Sequence, residues 1–524
     1  MNNLENALDV PTHLSRLTRA LSSEHDAQRL LDQVVESAMD LLNSDGGTLY
    51  IQQNNQLHFH VLRNRSLGLD SNSVQLAPIP LDDLEGGASR LVVVRAFKDR
   101  ETIVIDDAYQ DQRSDLSGTR QIDQQLNYRS QSFICVPLKD NEDQIIGVLQ
   151  LINALDADGK VVAFRAEQRY LLEALGAIAA TILTQRELIN AQKTLFESFI
   201  KLIAEAIDYK SPVTGRHCQK VPEIAMLLAD AVCQANDGAY ADVVFNEQQL
   251  YELKIAAWLH DCGKITTPEA IIDKGRKLEQ LFDRIELVAS RVREYQSALL
   301  LADLRQHGAA ASPTAACQTT LAQSNADLAF MRQINQGGEA LSDTDLEGLQ
   351  QLAEISWLGP DGKQCHLLTE DELANLSIRR GTLLPDELAI MRDHIVVTNR
   401  MLHSLPYPRH LQRVPEIAGN HHEHLDGTGY PRKLAAEELC VRARIMGIAD
   451  IFEALTAPDR PYKQGMSLSQ ALTIIGRHAQ AGRLDAELFT IFVRSGVYLQ
   501  YARRFMHADQ IDQPDLGSLP GLLR

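Results

Sequence analysis

The seven cysteines of this 524-residue chain include no CxxC pair and are odd in number. That count and spacing exclude an ordinary disulfide framework. With no secretory pattern at the N-terminus, they read as the reduced thiols of a cytoplasmic protein. Long hydrophobic runs are missing too. The longest, around Leu171 to Leu183, is interrupted by Glu173 and is too short to span a bilayer, so no membrane span is expected. Positive charge is scarce: 51 Lys and Arg face 70 Asp and Glu, for a formal charge of −19. A general DNA binder or anionic-membrane binder needs a cationic face, so both are excluded. A small anionic ligand held by a few local cations or metals is not. What remains is ordinary for a globular protein, 44% hydrophobic and 23% charged. The length exceeds what one core can serve and predicts roughly two to four domains.

Residues up to about Ser44 carry helical periodicity, with Leu14, Leu17, Leu21, Leu30, Leu31, Val34 and Met39 on one apolar face. The texture then changes. "GGTLYIQQNNQLHFHVL" alternates apolar and polar residues around Asn54-Asn55, as a β-hairpin should. "ETIVIDD" and "SFICVPLKDNEDQIIGVLQLIN" add strands, the latter a pair joined by the polar turn Asp140 to Asp143. From Phe164 the pattern is helical again. This order resembles a GAF domain over about residues 10–190, best matched at Ser132 to Asn153. The resemblance implies an α+β module for small-molecule sensing or dimerisation. No fingerprint assigns a cyclic nucleotide, a haem or a tetrapyrrole, so the GAF ligand stays open. His58 and His60 share one strand face and read as plain surface or core residues, and Cys135 reads as a buried small hydrophobe.

From Ala177 to Lys210 the helical pattern contains no Gly or Pro, and the helix expected from about residue 165 runs as a linker to 206. Leu175, Ile182, Ile189, Phe196 and Ile203 recur every seven residues, which fits a two-stranded coiled coil and a homodimer. Gln185 and Gln192 are polar at the companion positions and weaken that seam. A single amphipathic helix packed on its own domain is the alternative.

In the C-terminal half, "SPVTGRHCQKVPEIAMLLA" places His217 at the start of an amphipathic helix. "LYELKIAAWLHDCGKITTP" sets Leu250, Leu253, Ala257 and His260 on one helical face, with Asp261 next. His394, His421, His422 and Asp450 form a third, dispersed group. Each is a polar group set in or just beyond an apolar helix, where an unpaired one is expensive. Taken singly, each histidine reads as a satisfied core residue. Collectively that reading fails, because six of the sixteen histidines fall between His394 and His424. Imidazoles with carboxylates are natural ligands of divalent transition metals, and a carboxylate can bridge two.

"HDCGK" (His260 to Lys264), followed by "HHEHLDGTGYP" (His421 to Pro431), resembles the HD-GYP phosphodiesterases, a branch of the HD-domain metal-dependent phosphohydrolases, over roughly residues 197–510. The resemblance implies an all-α domain that hydrolyses cyclic di-GMP with two or three metals, commonly iron or manganese. Carried over by position, His217, His260, Asp261 and Asp450 would hold one metal. Asp261 would bridge to a second held by His394, His421 and His422. Lys264 would touch the scissile phosphate, and the loop bearing Gly429 and Tyr430 would shape the pocket wall. Arg460 and Lys463 in "DRPYK" would lie near the nucleotide phosphates. Asp261 and Lys264 are thus the expected catalytic pair.

The chain departs from the family in three places. Val213 stands where three-metal members carry glutamate, so two divalent metals are expected. Glu453 stands where aspartate is more usual. About residues 277–380, rich in Ala, Gln, Leu and charge, read as a helical insertion broken at Gly337-Gly338 and turned around Trp357, Pro360 and Gly362; lid, partner surface and spacer all stay open. The expectation is a GAF-regulated cytoplasmic phosphodiesterase converting cyclic di-GMP to pGpG or GMP, with possible signalling-protein partners and no DNA partner. The alternatives are an HD phosphohydrolase for another cyclic nucleotide or dinucleotide, and a cyclic di-GMP receptor without turnover.

Overall fold

The computed structural model of the chain describes residues 27–70, 76–82, 91–112, 116, 119–120, 123–124, 127–210, 216–308, 312–338, 340–359, 361–457 and 465–523. The predicted helical positions Leu14, Leu17 and Leu21 lie outside them. The chain divides into two compact units, Met1–Leu195 and Phe196–Arg524. No helix among the described residues is long and apolar enough to cross a membrane.

The first unit is α+β. Helix α1 (Ala27–Leu42) buries Leu31, Val34, Val35, Ala38, Met39 and Leu42, a helical spacing that lays one face on the sheet. Strands β1 (Ser44–Gln53), β2 (Gln56–Asn64), β3 (Leu69–Asp70), β4 (Ile79–Pro80), β5 (Ile103–Ile105), β6 (Phe133–Lys139), β7 (Ile145–Leu155) and β8 (Val161–Val162) form one sheet. Its order is β3-β2-β1-β7-β6-β5, with β4 on β2 and β8 on β7. The β1–β2 hairpin turns at Asn54 and Asn55, both at positive φ (48° and 62°), the left-handed pair that matches the twist of the flanking strands. Alternation then divides the core. Leu49, Ile134 and Leu149 face α1, while Tyr50, Cys135 and Val148 face α2 (Val92–Asp99). Burial pushes the Cys135 thiol up to about 12, which makes it inert as a nucleophile. His58 and His60 are half-buried on β2 and join no metal-capable group among the described residues.

Helix α3 (Ala166–Lys210) is 45 residues long. The seven-residue stripe read from sequence does not stay on one exposed face. Leu175 is fully buried against the sheet, and Phe196 packs partly into the C-terminal core. Between Leu188 and Ile203 the apolar residues left exposed are Leu188, Ile189, Leu195, Phe199, Leu202 and Ile203, so Ile189 and Ile203 of the stripe stay open to solvent.

The second unit is helical. Its core packs α4 (His217–Cys233) against α5 (Glu247–Leu259) and a later helix of the chain, Val441–Thr456. Between them the chain leaves for an excursion with a separate core: α6 (Ile285–His307), α7 (Ala315–Asn335), α8 (Asp343–Ala353) and α9 (Glu370–Leu376) bury Val288, Val292, Met331, Leu349 and Leu376 together. Sequence reading predicted helices and a turn here. The turn is the tip of a hairpin, β9 (Ser356–Leu358) with β10 (Gln364–His366), closed by Gly362 at φ +76°. The excursion is tied at its base. Lys274 Nζ donates to the Glu387 carboxylate at 2.7 and 2.8 Å and to Asn375 Oδ1 at 2.9 Å. Buried Lys277 donates to the Leu376 and Ile378 carbonyls. The chain then continues through α10 (Pro385–His403), α11 (Val414–Gly419), α12 (Val441–Thr456), α13 (Leu468–Gln480), α14 (Ala486–Arg494) and α15 (Val497–Phe505).

Candidate metal centre

Five segments supply the centre. His217 is the first residue of α4. Helix α5 opens with a capping box on Asn246 and Gln249, buries Leu253, Ala256 and Ala257, and delivers His260 and Asp261 at its end. The chain then tightens into a 3₁₀ turn, Cys262–Thr266, which lies against α10. Gly263 allows that approach, since a Cβ there would come 1.9 Å from the His394 carbonyl oxygen. Its N–H donates to Thr398 Oγ1 at 2.9 Å, fixing the turn beside the helix that carries His394. His421 and His422 follow the end of α11, and Asp450 lies in the almost wholly buried α12.

These residues form two groups able to hold a metal: His217, His260, Asp261 and Asp450, and Asp261, His394, His421 and His422. Asp261 belongs to both, one oxygen to each. Its Oδ2 lies 3.2 Å from His217 Nε2 and 3.2 Å from His260 Nε2. Its Oδ1 lies 3.3 Å from His394 Nε2 and 4.0 Å from His421 Nε2. Asp450 faces the first group through Oδ1, 3.2 Å from His217 Nε2, and His422 through Oδ2 at 3.8 Å. Three of these atoms, Asp261 Oδ1, His394 Nε2 and His421 Nε2, are buried with no hydrogen-bond partner. Buried polar atoms are nearly always paired. Lone pairs that converge without a proton to share fit a divalent cation at the second group, and the imidazole and carboxylate donors of the first suit another.

The far side of each ring is anchored. The Nδ1–H groups of His260 and His421 donate to the carbonyls of Ala257 and Ala418 at 2.7 and 2.6 Å, and that of His394 donates to Met391. Each bond spans three residues and turns Nε2 inward, where it offers a lone pair once the ring is neutral. His217 has no such carbonyl. Its Nδ1 pairs with the Glu453 carboxylate, one helical turn past Asp450 on α12.

The electrostatics of the two groups differ. Burial alone would lower His260, but the Asp261 charge beside it holds it at about 9. Burial likewise opposes a charged His217, yet Glu453, Asp261 and Asp450 raise it well above the imidazole range. His421 is pushed down to about 4 by burial and by the nearby His260 charge, and burial and His421 hold His422 well below the imidazole range. Against burial, Lys264 and the histidines hold Asp261 well below the carboxylate range. Lys264 Nζ lies 2.5 Å from Asp261 Oδ2, and that charge raises the ammonium's pKa despite burial.

The loop Asn420 to Pro431 wraps the second group. Gly427 is at φ +73°, and a Cβ on Gly429 would meet the His424 nitrogen at 2.3 Å. The Tyr430 ring stacks on His422 with centroids 4.8 Å apart, and Arg392 lies over the same ring at 5.2 Å. Glu423 accepts from the amides of Arg432 and Leu434, which folds the loop back on itself. Arg460, Lys463 and Val213 lie outside the described residues. Sequence reading missed Gly263, Thr398 and Arg392, and it treated Glu453 as a departure rather than as the partner of His217. The i, i+3 spacing from Asp450 was the signal for that last role.

A GAF-domain family model matches residues 26–183, and an HD-domain family model matches residues 370–488. The HD match contains His394, His421, His422 and Asp450. His217, His260 and Asp261 lie before the excursion and outside it. Among curated proteins, the chain is 48% identical over 82 residues to 3'3'-cGAMP-specific phosphodiesterase 1 of Vibrio cholerae, covering 16% of this chain and 19% of that one. It is 37% identical over 120 residues to a cyclic di-GMP phosphodiesterase of Pseudomonas aeruginosa, covering 22% and 28%. The chain therefore spans less than a third of the length of the curated relatives it matches. Among solved structures, the GAF domain of an Acinetobacter phosphoenolpyruvate-protein phosphotransferase is 18% identical, with 34% of this chain and 96% of that one covered, at a TM-score of 0.27. The chain therefore carries a GAF domain followed by an HD domain.

Proposed function

We propose that the chain is a metal-dependent phosphodiesterase of cyclic dinucleotides that cleaves cyclic di-GMP to pGpG or GMP. The observation that carries this reading is the division of Asp261, one oxygen to each of two metal-capable groups, with Oδ1, His394 Nε2 and His421 Nε2 of the second group left without partners. His217, His260, Asp261 and Asp450 would hold one cation, and Asp261, His394, His421 and His422 would hold the other. Iron or manganese suits this imidazole and carboxylate set. Such a pair, when bound, supplies positive charge to the phosphodiester and a water activated near neutrality. The chain does the rest. Lys264, kept protonated by Asp261, sets a cation where negative charge gathers on phosphorus. Tyr430 and Gly429 wall the pocket over His422, and Arg392 adds a charge at that wall. Arg460 and Lys463 are assigned to the outer phosphates. The GAF domain is the regulatory input, and the exposed line Leu188, Leu195, Phe199 and Leu202 on α3 is the homodimer seam.

A second substrate, 3'3'-cGAMP, is favoured by the likeness to the Vibrio enzyme that its name calls specific for it. The test is direct. Protein loaded with manganese or iron(II) is incubated separately with cyclic di-GMP and 3'3'-cGAMP, and products are separated chromatographically. Linear dinucleotide or mononucleotide from cyclic di-GMP supports the reading. Cleavage of 3'3'-cGAMP alone moves the substrate to the second, and tight binding of either without cleavage makes the protein a receptor.

A further inference from the structure

A cavity of about 670 Å³ lies in the C-terminal unit, and none of the metal-capable residues lines it. The last turns of α3, the start of α4, the second half of α5 and the end of α15 enclose it. Five lining residues are cationic, Lys201, Arg216, Lys220, Lys254 and Arg504, against two carboxylates, Glu205 and Glu223. That balance is the reverse of the chain's own, which is −19 overall. The cations come from four elements, so no single helix face explains their convergence.

Lys201 and Lys254 bring their ammonium groups 5.0 and 4.9 Å from the centroid of the same Trp258 ring. Each ammonium is attracted to the ring, but the two repel one another. Arg504 has Glu223 at 3.6 Å, and Lys220 has Glu453 at 3.6 Å. Lys201, Lys254 and Arg216 have no ion-pair partner among the described residues. We propose that this cavity binds a small phosphate-bearing molecule, whose di- or triphosphate group is recognised by charge at a site separate from the metal centre. Vicinal phosphates place several negative charges within reach of cations from separate helices, which a monoanion cannot do. The volume falls in the range of small-molecule sites, about 300–1,000 Å³. Trp258 is buried and already faced by two lysines, so it offers no open ring for a base, and recognition falls on the phosphates. The wall of the cavity also touches the support of the metal centre, since Lys220 pairs with the Glu453 that holds His217.

Trp258 reports on the site directly. It is one of two tryptophans, and the other, Trp357, belongs to the separate core of the excursion and gives a constant background. Inorganic pyrophosphate titrated into the full chain should change tryptophan emission saturably, with half-saturation below about 1 mM. Sodium chloride of equal ionic strength should not. The charge-reversed pair Lys201→Glu with Lys254→Glu should raise the half-saturation concentration about tenfold or more. Asp261→Ala, which removes the carboxylate shared by the two metal-capable groups, should leave it unchanged. Should the double variant misfold by circular dichroism, Arg216→Ala at an exposed position replaces it, with a smaller loss in the same direction. A response that never saturates, persists in the charge variants or disappears with Asp261→Ala overturns the proposal. The readout needs neither turnover nor bound metal, so its failure and that of the phosphodiesterase reading are distinguishable.

Discussion

His260, His394 and His421 each give Nδ1–H to a backbone carbonyl three residues earlier, which aims three Nε2 atoms inward from three different elements. His217 relies on Glu453 instead. Glu453→Gln removes that carboxylate while keeping its shape, and metal affinity should fall about 10–100-fold by titration against a chelator, in line with other outer-shell partners. Unchanged affinity would make Glu453 a packing residue. Asp261→Ala should cost more, abolishing turnover and lowering metal content. The two groups also predict a pH effect. In the metal-free protein His260, held at about 9, keeps its proton at neutrality, whereas His421 at about 4 has none to lose. Metal uptake at about pH 7.5 should therefore release protons, and affinity should climb as pH approaches about 9. Calorimetry in two buffers of different ionisation enthalpy measures this. Because the folded-state value of His260 lies above its unfolded 6.5, its contribution to metal-free stability is complete below that pH and is lost as pH rises through about 9.

Helix α3 carries the regulatory hypothesis. Its exposed line of Leu188, Leu195, Phe199 and Leu202 should self-associate, so Leu195→Glu with Leu202→Glu should give a monomer by light scattering. A dimer that survives both charges lies elsewhere. At the base of the excursion, Lys274 is buried and ties Glu387 and Asn375 together. Lys274→Ala should destabilise the C-terminal unit by about 2–3 kcal/mol in urea unfolding, because a carboxylate and an amide lose their donor. Sequence carried much at this scale. The Asn54-Asn55 hairpin, the strand pair around Asp140 to Asp143 and the unbroken helix to Lys210 follow from period and turn chemistry. The face of α3 left exposed followed only in part: Ile189 and Ile203 of the seven-residue stripe are open, whereas Leu175 and Phe196 are taken up by packing that a seven-residue count ignores. The β9–β10 hairpin hid behind three-residue strands too short to show alternation.

At the scale of the molecule, an α+β GAF domain precedes a helical HD domain whose metal-capable residues come from five segments interrupted by an excursion. No periodicity brings His217 next to Asp450, so their convergence was readable only through resemblance to a family. The ring anchors, the bridging position of Gly263 against α10 and the Glu453 support are matters of packing, invisible in a string. The central claim is that Asp261 joins two cations in one chain. Manganese(II) reconstitution followed by metal analysis and electron paramagnetic resonance tests it most directly. The account predicts close to two manganese ions per chain with an exchange-coupled signal, since one carboxylate links the two groups. One ion per chain, or two giving only the spectrum of isolated manganese(II), would contradict it.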